Sequence, residues 1–324
     1  VKVRARYYAR VKKKLILLSL LILCSVGFGI FHKFNKAKEF SLNQNSRNDF
    51  ERYIDAGYFL QSASLSSLEE TYLHPEKKLR ILLVPGHTND SPGAIYKDSK
   101  EVDFTFELTE QLYKSFLKEG WADVEIASLR NEDVNGFRSF FIEKGSDIEA
   151  FEKYQKGISE ELRNRLLVEE MEEDNHVTAK RDIAELLYGI NHYANKNDFD
   201  IVLHIHFNDY PRSDINEAGV FSGYALYVPD SIFSNSEVSL EIANSIAQEL
   251  AVNYATSSHP LENKGVIESK ELIAVGAHNT ARTPAIVIEY AYIYEPFLHS
   301  VISRQEVFET MVDATIEGIR KSLE

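Results

Sequence analysis

Three almost unbroken apolar runs constrain this chain more than any other feature: Leu79–Pro85, Phe199–His206 and Pro284–Tyr292. A run that does not alternate with polar residues suits a strand covered on both faces, the condition of a parallel sheet packed between helices. The segments between them carry the matching helices. Glu101–Lys118 places Phe104, Leu108, Leu112 and Phe116 at four-residue spacing, and Val238–Tyr254 repeats the pattern with Val238, Ile242, Ile246 and Leu250. Such residues share one helical face. Thr178–Ala194 and Val307–Leu323 also read as helices, and Trp121–Ser128 and Gly219–Val228 as strands. The alternation predicts an α/β fold, a three-layer αβα domain with a mostly parallel sheet. With 324 residues and 44% apolar content, the chain is long enough for one such domain and accessory segments.

The accessory segments lie first. Residues 1–14 hold seven Lys and Arg and no acid, although the whole chain carries a formal charge of −14. The body is therefore strongly acidic, which does not suit a nucleic-acid binder. Leu15–Phe31 follows as 17 residues without a charge, flanked by Lys12–Lys14 and by His32 and Lys33. This reads as a transmembrane anchor, in preference to a signal peptide because no small-x-small cleavage site follows. The positive-inside rule then puts the N-terminus in the cytoplasm and the body on the envelope side of a single-pass membrane protein. The single cysteine, Cys24, lies inside the apolar run without the small residues a lipobox needs, and reads as a buried thiol. Residues 32–78 are polar and weakly patterned, a stalk with a short helix near Ser66–Tyr72, and the folded domain begins at Leu79. Within it, Asn131–Asn175 stands out as an acidic helical insertion with Glu169, Glu170, Glu172, Glu173 and Asp174, whose plain reading is a solvated excursion.

Groups with chemistry fall at strand ends or a helix start, where an open α/β sheet assembles its sites. His87 follows the first strand in Val-Pro-Gly-His-Thr-Asn-Asp. Glu101 opens the next helix, where its plain role is to meet the helix dipole. His204 and His206 share one face of a strand that otherwise has little use for imidazoles. Glu289 interrupts Ala-Ile-Val-Ile-Glu-Tyr-Ala-Tyr, where an ionised carboxylate is costly unless paired or bound to metal. Two imidazoles and a carboxylate suit Zn²⁺, which in catalytic sites takes three protein ligands and leaves a position for water. Glu289 then has the part of general base and acid. No Gly-x-Ser-x-Gly, His-Glu-x-x-His or phosphate-binding glycine loop competes with this set.

At these residues the chain resembles the zinc-dependent N-acetylmuramoyl-L-alanine amidases, the amidase-3 family. Ile81–His87 and Thr88 are similar to the family's strand ending in Asp-Pro-Gly-His-Gly-Gly, and Lys100–Phe106 to its Lys-Glu-Lys-Asp-Val-Asn-Leu helix start. His204–Asn208 resembles Ser-Ile-His-Ala-Asn, and Pro284–Tyr292 resembles Pro-Ala-Val-Leu-Val-Glu-Leu-Gly-Phe. Lys264-Gly265-Val266 is similar to the family's Arg-Gly-Val. The resemblance covers Leu79–Leu323. It implies His87, Glu101 and His206 as metal ligands, Glu289 as the catalytic carboxylate, and His204 and Asn208 as supporting groups around them. It also implies Zn²⁺ as cofactor, peptidoglycan as partner, and hydrolysis of the amide joining N-acetylmuramic acid to L-alanine. Val84 replaces the family's Asp, Thr88-Asn89 its Gly pair, and Tyr290-Ala291 its aliphatic-Gly pair, departures that bear on substrate fit and leave the metal set intact. Two other readings keep the same residues: a zinc peptidase acting on another envelope amide, and a silent wall-binding homologue. Some cell-division amidases carry an autoinhibitory helix where Asn131–Asn175 falls, which makes regulation by that segment an expectation to test. No motif identifies a protein activator.

Overall fold

The computed structural model describes residues 64–74, 76–129, 136–164, 179–231 and 233–324. The basic tail, the Leu15–Phe31 run read as an anchor, most of the segment read as a stalk and the acidic end of the insertion lie outside the described residues. Among the described residues no helix is long and apolar enough to cross a membrane.

The three apolar runs lie side by side in the sheet. β1 (Leu79–Pro85) pairs in parallel with β4 (Ala122–Ile126) on one side and with β5 (Ile201–Asn208) on the other, and β5 pairs in parallel with β8 (Ala285–Tyr292). β8 runs antiparallel to β6 (Ala225–Pro229), which pairs in parallel with β7 (Val266–Ser269). The order is β4-β1-β5-β8-β6-β7, with a separate two-stranded hairpin of β2 (Ile95–Tyr96) and β3 (Ser99–Lys100). This is a mixed α/β domain with a mostly parallel central sheet.

Strand parity divides the core. Ile81, Leu83, Leu203, Ile205, Phe207, Ile286 and Ile288 point to one face and pack with α2 (Glu101–Glu119), α6 (Ser236–Leu250) and α7 (Val301–Ser322) through residues such as Phe104, Leu112, Ile242 and Phe308. Leu82, Val84, Val202, Ala285 and Val287 point to the other and meet Ile190, Tyr193 and Ala194 of α5 (Arg181–Lys196). α2 stops where Gly120 turns left-handed at φ 79° and its N–H closes on the Phe116 carbonyl.

Several boundaries differ from the sequence reading. α1 (Leu65–Leu73), inside the segment read as stalk, begins at a Ser64 cap and buries Leu68 to 1% exposure in the main core, with Tyr72 edge-on to Trp121. The fold thus begins before Leu79, because one apolar face of a short helix has a place on the sheet's helical layer. The described part of the insertion, α3 (Phe137–Glu143) and α4 (Gly145–Asn164), is helical but not a solvated excursion. Phe137 and Ile148 are fully buried, Phe137 meets the Tyr193 ring at 5.3 Å, and Phe151 stacks on His192 at 4.7 Å. The strand expected from Gly219 starts only at Ala225, since the backbone N–H groups of Ser222 and Gly223 go to the Ser258 hydroxyl and the Glu295 carboxylate instead of a neighbouring strand.

Candidate metal centre

At the carboxyl end of β1 the chain turns through Pro85-Gly86 into His87, which adopts a left-handed φ of 70°. The Gly86 N–H bonds the Ile205 carbonyl at 2.9 Å, and the Thr105 hydroxyl donates to the Gly86 carbonyl at 2.9 Å, so both neighbouring elements pin the turn. Glu101, the first residue of α2, is 4% exposed. The Ala94 N–H donates to its Oε2 at 2.9 Å and the Phe207 N–H to its Oε1 at 3.1 Å. The same two oxygens meet His87 Nε2 at 2.9 Å and His206 Nδ1 at 3.0 Å. Two glycines make this approach possible. A Cβ on Gly86 would lie 2.4 Å from the His206 ring, and one on Gly93, itself at φ 76°, would lie 2.4 Å from Glu101 Oε2 and from the His87 ring.

Burial alone would raise the Glu101 pKa, but hydrogen bonds from His206 and His87, and their charges, outweigh it and hold the carboxyl down at about 2. Glu101 is therefore an anion between two imidazoles. The ligand atoms of His87, Glu101 and His206 all lie within 4.8 Å of one another. Two imidazole nitrogens and one carboxylate oxygen converging on one point form a donor set that fits zinc, and borderline divalent metals generally.

Glu289 is the register neighbour of His206 on β8 and shares the face and the cavity that hold it. Burial, then the negative charges of Glu101 and Glu262, push its pKa well above the usual carboxylate range, and its Oε2 has no hydrogen-bond partner among the described residues. The cavity, about 530 Å³, joins His87, His204, His206 and Glu289 to an apolar wall that includes Leu186 and Leu187 of α5.

The two residues expected as supporting groups behave differently. His204 is fully buried, and neither ring nitrogen makes a hydrogen bond of normal geometry among the described residues. Burial, and then the nearby His206, drive its pKa down to about 3 against a small opposing effect of the Ala274 backbone, so it is a neutral core imidazole at pH 7. Asn208 commits its amide to another carboxylate, its Nδ2 donating to both oxygens of Glu262 at 3.0 Å. Glu262 also accepts from Ser257 at 2.6 Å, Tyr227 at 2.7 Å and Tyr292 at 2.8 Å. This buried carboxylate ties the ends of β5, β6 and β8 to the loop before β7. Sequence reasoning passed over it; the only nearby signal was the Lys264-Gly265-Val266 motif that follows.

The sequence model of a family described as N-acetylmuramoyl-L-alanine amidase matches residues 81–321. No curated protein matches the chain. Among solved structures it is similar to the CwlD amidase of Clostridioides difficile, determined in complex with the GerS lipoprotein, at 17% identity and a TM-score of 0.49 over 76% of this chain and 98% of that one. It is also similar to the amidase Ami1 of Mycobacterium smegmatis, at 14% identity and a TM-score of 0.49 over 76% of this chain and 96% of that one. A third likeness is to the catalytic domain of CwlV from Bacillus (Paenibacillus) polymyxa var. colistinus, at 11% identity and a TM-score of 0.46 over 75% and 97% of the two chains. Because the family match spans most of the sequence and contains His87, Glu101, His206 and Glu289, the chain belongs to the N-acetylmuramoyl-L-alanine amidase family Amidase_3.

Proposed function

We propose that this protein hydrolyses the amide between the lactyl group of N-acetylmuramic acid and L-alanine in peptidoglycan, with Zn²⁺ held by His87, Glu101 and His206. The observation that carries the reading is the convergence of those three side chains beside a cavity that His87 and His206 share with Glu289, whose Oε2 has no hydrogen-bond partner among the described residues. Zinc held there supplies a Lewis acid that acidifies water and polarises a carbonyl oxygen. Glu289 takes a proton from the attacking water and delivers it to the leaving nitrogen, so that the C–N bond breaks into a lactyl carboxylic acid and the free amine of L-alanine. The environment of Glu289 favours its protonated form, which suits the delivery half of that cycle; the first half needs the ionised form, which a divalent cation held by His87, Glu101 and His206 would favour. Glu101 stays anionic throughout, and the backbone N–H groups of Ala94 and Phe207 fix its two oxygens. Leu186 and Leu187 of α5 give the same cavity an apolar wall, which disfavours bulk water there. The basic tail and apolar run at the N-terminus support an anchored enzyme whose catalytic domain faces the envelope.

Labelling of newly exposed amino termini during incubation with purified peptidoglycan tests the reading. Alanine termini should accumulate with the zinc-loaded chain, stop on chelation, return when zinc is restored, and stay absent with Glu289→Gln. Release that is indifferent to chelation, or undiminished in Glu289→Gln, would overturn it.

A further inference from the structure

A second cavity, of about 690 Å³, opens where three stretches of the carboxyl edge meet: the β2–β3 hairpin at Tyr96–Ser99, the loop Ala218–Ser222 before β6, and the chain leaving β8 at Tyr294–His299. The hairpin lies between His87 and Glu101 in the chain, and Tyr294 follows Glu289 closely, so the elements that hold the candidate catalytic groups also build this second wall. We propose that the cavity is a saccharide subsite that receives sugar rings of the glycan strand; the inference rests on the peptidoglycan reading above.

The lining chemistry selects the ligand class. Tyr96, Phe221 and Tyr294 give aromatic walls, with the Tyr96 and Tyr294 rings 6.3 Å apart. Tyr294 is 4% exposed, its hydroxyl makes no hydrogen bond of normal geometry among the described residues although the Phe221 backbone lies close enough to oppose the effect of burial on it, and it sits against Gly219, where a Cβ would lie 2.4 Å from the hydroxyl oxygen. The charged groups do not combine into a field of one sign. Lys97 lies with its ammonium 4.9 Å over the Tyr96 ring, beside the acid Asp98. Glu295 spends one oxygen on the backbone N–H groups of Gly223 at 2.8 Å and Tyr292 at 3.1 Å, and the His299 ring is held between the Ser99 hydroxyl and the Ile293 carbonyl. Lys97, Asp98 and Ser222 are exposed around the cavity as mixed donors and acceptors. A pyranose has an apolar ring face and a belt of hydroxyls that both donate and accept, which matches aromatic walls within a polar rim of balanced charge. The volume falls within the range of small-ligand sites.

The walls are also set in advance. The Arg212 guanidinium donates to the Ile95 carbonyl at 2.8 Å, to the Ile215 and Glu217 carbonyls at 3.0 and 2.9 Å, and to both oxygens of Asp209 at 3.0 Å. Its central carbon lies 5.6 Å from the Tyr96 ring centre and 5.2 Å from that of Tyr294. One buried cation thereby clamps the loop after β5 to the hairpin and to the chain beyond β8, and a ligand meets walls already in place, which lowers the entropic cost of binding.

The test is calorimetric titration of the full chain with chitotetraose, a neutral, peptide-free probe. It is repeated with Ser222→Trp, which fills the mouth, and Asp98→Ala, which removes a rim acceptor; both residues are exposed and lie outside the proposed catalytic set. The wild type should bind, both variants should lose about tenfold or more in affinity, and hydrolysis of a glycan-free lactyl-L-alanyl amide reporter should be unchanged in both. Absence of binding by the wild type, or equal binding by wild type and variants, overturns the subsite even if the amidase reading holds. Variant-sensitive binding without release of L-alanine from peptidoglycan leaves the subsite standing and removes the amidase reading.

Discussion

Substituting alanine for Gly86 places a methyl carbon 2.4 Å from Cε1, 2.6 Å from Nδ1 and 2.7 Å from Nε2 of the His206 ring. Relaxed contacts of this kind lie at about 3.5–4.0 Å, so something must yield by roughly 1 Å. Gly86 itself is not left-handed, and the added methyl strains no backbone dihedral; the effect is a collision alone. The backbone has little freedom to move, being hydrogen-bonded through Gly86 N–H to Ile205 and through Gly86 C=O to Thr105. The imidazole therefore gives way, and its Nδ1 leaves the 3.0 Å contact with Glu101. Overpacking of this size costs about 1–3 kcal/mol of stability. A ligand displaced by about 1 Å should weaken metal binding by roughly 10–100-fold and lower turnover by about 100-fold. Competition against a chromophoric zinc chelator measures the first, and release of alanine termini at saturating zinc the second, with a thermal melt to show that the variant is folded. A folded Gly86→Ala protein with wild-type zinc affinity and turnover would refute the claim that this glycine is what lets the histidine reach the site.

Further outcomes follow from the same geometry. Glu289→Gln should lower turnover by about 10²–10⁴-fold with zinc stoichiometry unchanged by elemental analysis; loss of zinc would make Glu289 a ligand instead. Glu262→Ala takes the acceptor from the Tyr227 hydroxyl and the Asn208 amide and leaves the Ser257 and Tyr292 hydroxyls only each other, and should cost at least about 3 kcal/mol in urea denaturation, whereas a change within 0.5 kcal/mol would deny it a structural role. Leu68→Ala should cost about 2–5 kcal/mol in the same assay, and an unchanged midpoint would return α1 to the stalk. For the metal-free protein, His204 has a folded pKa of about 3 against an ordinary 6.5, so the unfolded chain takes up the proton first. Stability should fall as pH drops from 6.5 toward 3, by at most about 1.4 kcal/mol per pH unit from this group. Glu101, held at about 2, adds a further loss between pH 4.5 and 2. His204→Leu should flatten the curve between pH 6.5 and 4.5, and an unaltered slope there would show that His204 is not buried neutral.

The parts of this fold that were legible in the sequence are those governed by periodicity. Leu79–Pro85 and Ala285–Tyr292 read as buried strands because both faces are covered, and Phe104, Leu108, Leu112 and Phe116 marked the buried face of α2 because a helix repeats its face every turn. Glu289 stood out because a carboxylate inside an apolar strand is costly without a task, whereas His87 and Glu101 each had a plain structural reading, and only the family resemblance singled them out and chose His206 over His204. What escaped was non-periodic. Glu262 lies in a loop, and nothing in Leu-Glu-Asn-Lys-Gly distinguishes a solvated glutamate from one that takes four side-chain donors; only the tertiary arrangement brings Tyr227, Ser257, Tyr292 and Asn208 to it. β7 has four residues at the sheet's edge, too short for a pattern. The packing of α3 and α4 depends on Phe137, Ile148 and Phe151 finding α5, a long-range fact that an acidic composition concealed. His204 and His206 looked equivalent by parity, and they differ because His204 is fully buried without a hydrogen bond of normal geometry, whereas His206, one step nearer the carboxyl edge, reaches Glu101.

Mass spectrometry of the soluble products released from purified peptidoglycan by the zinc-loaded full chain addresses the central claim most directly. Intact stem peptides that begin with a free L-alanine, together with glycan strands whose muramic acid carries an unsubstituted lactyl carboxylate, are the predicted products, and His206→Ala and Glu289→Gln should yield neither. Fragments cut within the stem peptide, or muramic acid still bearing its L-alanine after prolonged digestion, would contradict the account.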